Sequence, residues 1–89
     1  MSLVKGNRVW IPCEVKGGPF NDERVVRVES PLGESMAFVR SNHLRDDITE
    51  GSTYVCAMIV EVQGDTFIAQ LPGQAITSKN FEGEIAKVG

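Results

Sequence analysis

No apolar run in this 89-residue chain is longer than Tyr54-Val55-Cys56-Ala57-Met58-Ile59-Val60. A bilayer-spanning helix needs roughly 20 consecutive apolar residues, so none is expected, and the N-terminus lacks the pattern of a signal peptide. The default expectation is a cytoplasmic protein with no membrane partner. Cysteine is scarce. Cys13 and Cys56 lie inside apolar segments, away from the Cys-x-x-Cys spacing of a metal or redox site. Both are expected to be buried structural thiols that pack as small hydrophobes rather than join in a disulfide. Histidine occurs once, at His43, and no sequence signal pairs it with a nucleophile. A Gly-rich phosphate cradle, a His-Glu-x-x-His helix and a Gly-x-Ser-x-Gly elbow are all missing. Asp46, Asp47 and Glu50 lack the glycine and the ligand spacing of an EF-hand loop, and read as a solvated acidic loop. The sequence therefore predicts no catalytic residue, no cofactor and no metal site, and a protein that is not an enzyme.

Apolar residues make up 42% of the chain and charged residues 24%, near the globular average, so a folded domain is expected rather than a disordered segment. The length suits one domain spanning residues 1–89. Residues 1–4 are expected to be flexible, with Met1-Ser2-Leu3 read as an expression leader because it joins no pattern. The net charge of −3 works against unaided affinity for nucleic acid or an anionic membrane. That charge is unevenly divided, with residues 1–45 at +2, including all five arginines, and residues 46–89 at −5. Scattered solvated charge is the simpler reading of those arginines, and a local anion-binding face is the sharper one.

Short segments punctuated by Gly and Pro carry the two-residue period of strands. From Arg8 to Val15, apolar Val9, Ile11, Cys13 and Val15 alternate with Arg8, Trp10, Pro12 and Glu14. Pro12 cannot donate to a ladder and is expected on an edge strand or at a bulge. Glu23 to Glu29 forms a second strand, with Val26 and Val28 on one face and Val25 and Arg27 on the other. Ser30-Pro31-Leu32-Gly33 matches a type I turn, and Ser35 to Arg40 returns from it. In that return strand the inward pair is either Met36 and Phe38 or, one residue out of step, Ala37 and Val39. Ser41 to Asp47 reads as one helical turn and a loop.

Thr53 to Val62 is the strongest strand, apolar enough to be central and covered on both sides. Gln63-Gly64-Asp65-Thr66 supplies a type II′ hairpin loop, and Thr66 to Leu71 returns beside it. Thr77 to Glu82 reads as a helical turn stopped by Gly83, followed by a strand from Glu84 to Val88. The fold class expected is all-β: a small antiparallel barrel of five to six short strands with one or two single helical turns.

Gly6-Asn7-Arg8-Val9-Trp10-Ile11, then Gly18-Pro19-Phe20, then Val25-Val26-Arg27-Val28, resembles the opening of SH3-like barrels, in particular KOW-type modules of transcription and ribosomal proteins. Glu23-Arg24 stands where that family has a further Gly. The resemblance implies docking onto RNA, DNA or another protein through loops and an exposed sheet face, without catalysis. It carries over only to Gly18, Pro19, Phe20 and the flanking strand residues.

The candidate binding residues are Trp10, Arg8, Arg24, Arg27, Arg40 and Phe20. Trp10 shares the face of Arg8, Pro12 and Glu14, so it is expected to be exposed for stacking on a base or insertion into a partner. The competing expectation is that Phe81 and the C-terminal strand cover it. Phe20 follows Gly-Gly-Pro at a loop tip and is expected to fold back as a barrel plug. The leading function expected is a non-catalytic protein-interaction module, with self-association through an edge strand as one form of it. A nucleic-acid-binding barrel using Trp10 and the arginines is the alternative. Small-ligand or metal binding in the barrel mouth has no residue-level support.

Overall fold

The computed structural model describes residues 4–30, 33–77 and 80–85, and places seven strands in one sheet. In chain order they are β1 (Arg8–Gly17), β2 (Glu23–Ser30), β3 (Gly33–Arg40), β4 (Glu50–Gln63), β5 (Thr66–Gln70), β6 (Gln74–Ala75) and β7 (Asn80–Glu84). A 3₁₀ turn spans Ser41–His43, Ile85 is also in 3₁₀ conformation, and no α-helix occurs among the described residues. Across the sheet the order is β6-β3-β2-β1-β4-β5-β7, and every neighbouring pair is antiparallel. The sheet curls into a half-barrel. Its far strand β7 comes round to pack against β2 and β3, where the buried Ser35 hydroxyl donates to the Asn80 carbonyl at 2.8 Å.

The alternation read from the sequence decides which side chains enter the curl. Val9, Ile11, Cys13 and Val15 of β1 are buried, as are Val26 and Val28 of β2. From the other wall come Val55, Ala57 and Ile59 of β4, Phe67 and Ala69 of β5, and Phe81 of β7. Each larger apolar side chain buried this way contributes about 1.5–3 kcal/mol. In β3 the register is settled by the hairpin: Ser30 pairs Gly33 and Val26 pairs Ala37, so Ala37 and Val39 point inward and Met36 and Phe38 outward. Pro31 and Leu32 of the expected type I turn lie outside the described residues, as does Met1-Ser2-Leu3. The β4–β5 hairpin closes on Gly64 and Asp65, with φ of +62° at Gly64 and no positive φ at Asp65, which fits type II′.

Five expectations change. Strand β1 sits in the middle of the sheet rather than at an edge, yet its ladder with β2 runs only over Glu14–Gly17. Residues 8–13, with Pro12 among them, pair with β4 alone. The strand containing Thr53 to Val62 is longer than expected and is covered on one side only: Thr53, Val55, Ala57 and Ile59 are buried while Tyr54, Cys56 and Met58 face outward. Cys56 is accordingly half-exposed, and only Cys13 is a buried thiol; both are free.

Finally, the stretch read as a helical turn before Gly83 is strand β7, paired with β5 from Asn80 to Glu84. Gly83 stops no helix. It pairs Phe67, and a Cβ there would collide with the fully buried Phe67 ring. Residues 86–88 of the expected last strand lie outside the described residues, and Ile85 packs against the core. With β6 added, the count is seven strands rather than five or six.

Candidate interaction face

Outward-pointing residues of β1 and β4 form a face in which Trp10 stands opposite Cys56 and Pro12 opposite Tyr54, so the two aromatics are diagonal neighbours. Beside them Met58 is 36% exposed and pairs Arg8. The chain leaving the 3₁₀ turn then lines the free side of β4. Leu44 is buried and forms a bridge with Val55, and the Arg45 amide donates to the Tyr54 carbonyl at 2.9 Å. The Thr53 hydroxyl donates to Asp46 Oδ2 at 3.0 Å, which anchors the next residue.

With Leu44 turned inward, Arg45 projects over the outer face. Its guanidinium carbon lies 4.3 Å from the Tyr54 ring centroid and 5.3 Å from that of Trp10. Stacking of this kind is worth about 0.5–1 kcal/mol at an exposed site, and it holds a flexible cation in one orientation.

The sequence-predicted residues do not converge as a set. Arg24 is buried, its side chain 7% exposed, and its donors are consumed by the carbonyls of Ile48, Asn21 and Glu23 and by Asp47. It staples the start of β2 to the loop after the 3₁₀ turn. Arg27 lies amid Glu14, Glu29 and Glu34 and bonds all three, so that patch carries more negative than positive charge. Arg40 pairs Asp22 at 3.0 Å on the surface. Arg8 is exposed at the start of β1, and among the described residues it has no hydrogen bond or ion pair.

Trp10 is half-buried on the outer face; Arg45 lies over it, while Phe81 is in the core on the other side of the sheet. Phe20 is 69% exposed in the loop joining β1 to β2, so it plugs nothing. Arg45, absent from the predicted set, is the arginine that meets Trp10. Long-range pairing of residues 44–46 with β4 puts it there, and nothing local in Ser41 to Asp47 signals that placement.

Two further groups complete the face. His43 has a buried Nδ1 with no hydrogen-bond partner, and burial, followed by the charges of Arg8 and Arg40, holds its pKa below the ordinary 6.5. Cations therefore surround this histidine. On the other side of Tyr54, where β1 and β2 part, a groove of about 390 Å³ is lined by Pro12, Cys13, Glu14, Arg27, Glu29, Ser52, Thr53 and Tyr54.

Among the described residues no three His, Cys, Asp or Glu side chains are grouped to hold a metal ion, and Asp46 and Asp47 are engaged by Thr53 and Arg24. No helix among the described residues is long and apolar enough to cross a membrane.

Fold and face together define the class: an all-β protein with a curled half-barrel sheet that displays aromatic and guanidinium groups on its outer surface. Comparison with the profiles of protein families, with curated proteins and with solved structures finds no match to this chain.

Proposed function

We propose that the protein is a non-catalytic module that binds another protein through the outer face of β1 and β4. The observation that carries this reading is the Trp10–Arg45–Tyr54 stack, set beside the exposed Met58 and the half-exposed Cys56. Trp, Tyr and Arg are the side chains most enriched where binding energy concentrates at protein interfaces. They offer a large apolar contact with few rotamers to freeze, and polar edges to satisfy. The likeness of residues 6–28 to the opening of KOW-type SH3-like barrels supports the same contact role and extends the half-barrel to that finer fold assignment.

Nucleic acid is the weaker reading. Binding a phosphate backbone requires several uncommitted cations along a track, with aromatic faces free for bases. Here Arg24, Arg27 and Arg40 already answer carbonyls or carboxylates, Arg45 occupies the ring faces, and Glu14, Glu29 and Glu34 cluster around Arg27. The test is a photo-crosslinking residue, p-benzoylphenylalanine, placed at Tyr54 and, as a control, at Gln74 on β6. Irradiation in an extract of the cells that make the protein should give protein adducts from position 54 and not from position 74. Nucleic-acid adducts, or none at position 54, would overturn the reading.

A further inference from the structure

The geometry points to an acidic partner: the outer face of β1 and β4 receives an extended, carboxylate-rich segment whose acids meet Arg45 and Arg8 while an apolar side chain lies on Met58. This inference rests on the protein-contact reading and names the chemistry of its partner.

Arg45 and Arg8 are the two arginines that no carboxylate in the described residues engages. A guanidinium stacked on aromatic rings keeps its N–H groups in its own plane, directed away from the ring faces. Arg45 lies over Tyr54 and Trp10, and no hydrogen bond or ion pair among the described residues uses its guanidinium, so its donor fork is uncommitted and can bind a carboxylate through two parallel hydrogen bonds. Arg8 stands two residues from Trp10 on the same side of β1, opposite Met58, so a second cation and an apolar contact adjoin the first.

Arg8 and Arg45, neither engaged by a carboxylate among the described residues, put uncompensated positive charge on the Trp10 end of the face. At the other end Glu14, Glu29 and Glu34 outnumber Arg27. The face is thus polarised, and an acidic segment is attracted to one end and repelled from the other. That polarity gives the complex a direction as well as an affinity.

The experiment uses the full chain and a fluorescein-labelled octapeptide, Glu-Glu-Leu-Glu-Glu-Leu-Glu-Glu, followed by fluorescence anisotropy. Companion probes are the same peptide with Lys for Glu and an oligo-dT strand. The acidic peptide should bind, and binding should weaken as salt is raised. R45A should weaken it by about tenfold, and R45K, which keeps the charge but loses the planar fork, should restore only part of that loss. Arg45 is exposed, and circular dichroism of R45A should match the parent chain.

Binding of the Lys peptide or of oligo-dT in place of the acidic peptide would overturn the inference. So would self-association of the free chain at low salt that R45A abolishes, since a second copy would then be the occupant. Absence of acidic-peptide binding overturns it too. If protein adducts still form at position 54 in that last case, the contact face stands and only the acidic partner falls. If none form, both fall.

Discussion

Arg24 donates through Nε to the carbonyl of Ile48 at 2.8 Å, and this buried contact ties the start of β2 to a loop 24 residues further along the chain. The same side chain bonds the carbonyls of Asn21 and Glu23. Replacement by Ala removes these bonds from a buried side chain and leaves the Ile48 carbonyl without this donor, while the Glu23 carbonyl keeps the Gly18 amide; the cost is about 1–3 kcal/mol. R24K should recover only part, because an ammonium cannot reproduce the fork. Arg27 provides the contrast. Its carboxylate partners are exposed, so R27A should change stability by less than about 1 kcal/mol despite breaking three ion pairs. Urea unfolding of the three variants checks the order; equal losses for R24A and R27A would contradict it.

Gly83 is required by an aromatic ring rather than by a turn. A methyl group at this position would press on three atoms of Phe67, which is fully buried and cannot move aside. G83A should therefore lose about 1–3 kcal/mol through overpacking. Thermal and denaturant melts of G83A would refute this if they superimposed on those of the parent.

His43 gives the molecule a pH dependence of definite sign. Burial and the nearby Arg8 and Arg40 disfavour the protonated imidazole in the folded state, whereas the unfolded chain takes up the proton at the ordinary value of 6.5. The unfolded state then binds more protons. Stability from this group is complete above 6.5 and is lost progressively as pH falls from there toward the depressed value of the folded state. His43→Gln should flatten that part of the stability profile. Parallel curves for parent and variant between about pH 7 and 5 would remove His43 as the cause.

The two thiols should differ sharply in reactivity. Burial pushes the Cys13 thiol up to about 11, so at neutral pH it is both shielded and protonated. Cys56 lies half-exposed on the outer face opposite Trp10. Iodoacetamide under native conditions should label Cys56 alone, with Cys13 reached only on unfolding, and peptide mass spectrometry locates each adduct. Equal labelling of both would show that β1 opens readily.

Strand β1 was legible in the sequence because its buried Val9, Ile11, Cys13 and Val15 take turns with outward residues. Strand β2 was legible because Val26 and Val28 do so with Arg27 and Glu29, although the buried Arg24 and outward Val25 break the pattern at its start. Strand β4 was legible in existence but not in environment. Its outward residues Tyr54, Cys56 and Met58 are as apolar as its inward ones, and an unbroken apolar run reads alike for a strand covered twice and for one with an apolar exposed face. Both faces of β3 are apolar as well, and only its pairing with β2 chose between them. The arginines were visible as charges, but their partners were not. What separates Arg24 in the interior from Arg45 above Tyr54 is the path of the 44–48 segment, a tertiary fact that no local pattern encodes.

The parting of β1 from β2 beyond Glu14 leaves one flank of residues 8–13 without a neighbouring strand among the described residues. Such a flank is a rail of backbone amides and carbonyls on which a stray chain can add itself and begin an aggregate. Pro12 stands on that rail with no amide hydrogen to offer. An imino acid in mid-sheet thus acts as a guard, keeping the opening available to solvent while denying it to an uninvited strand.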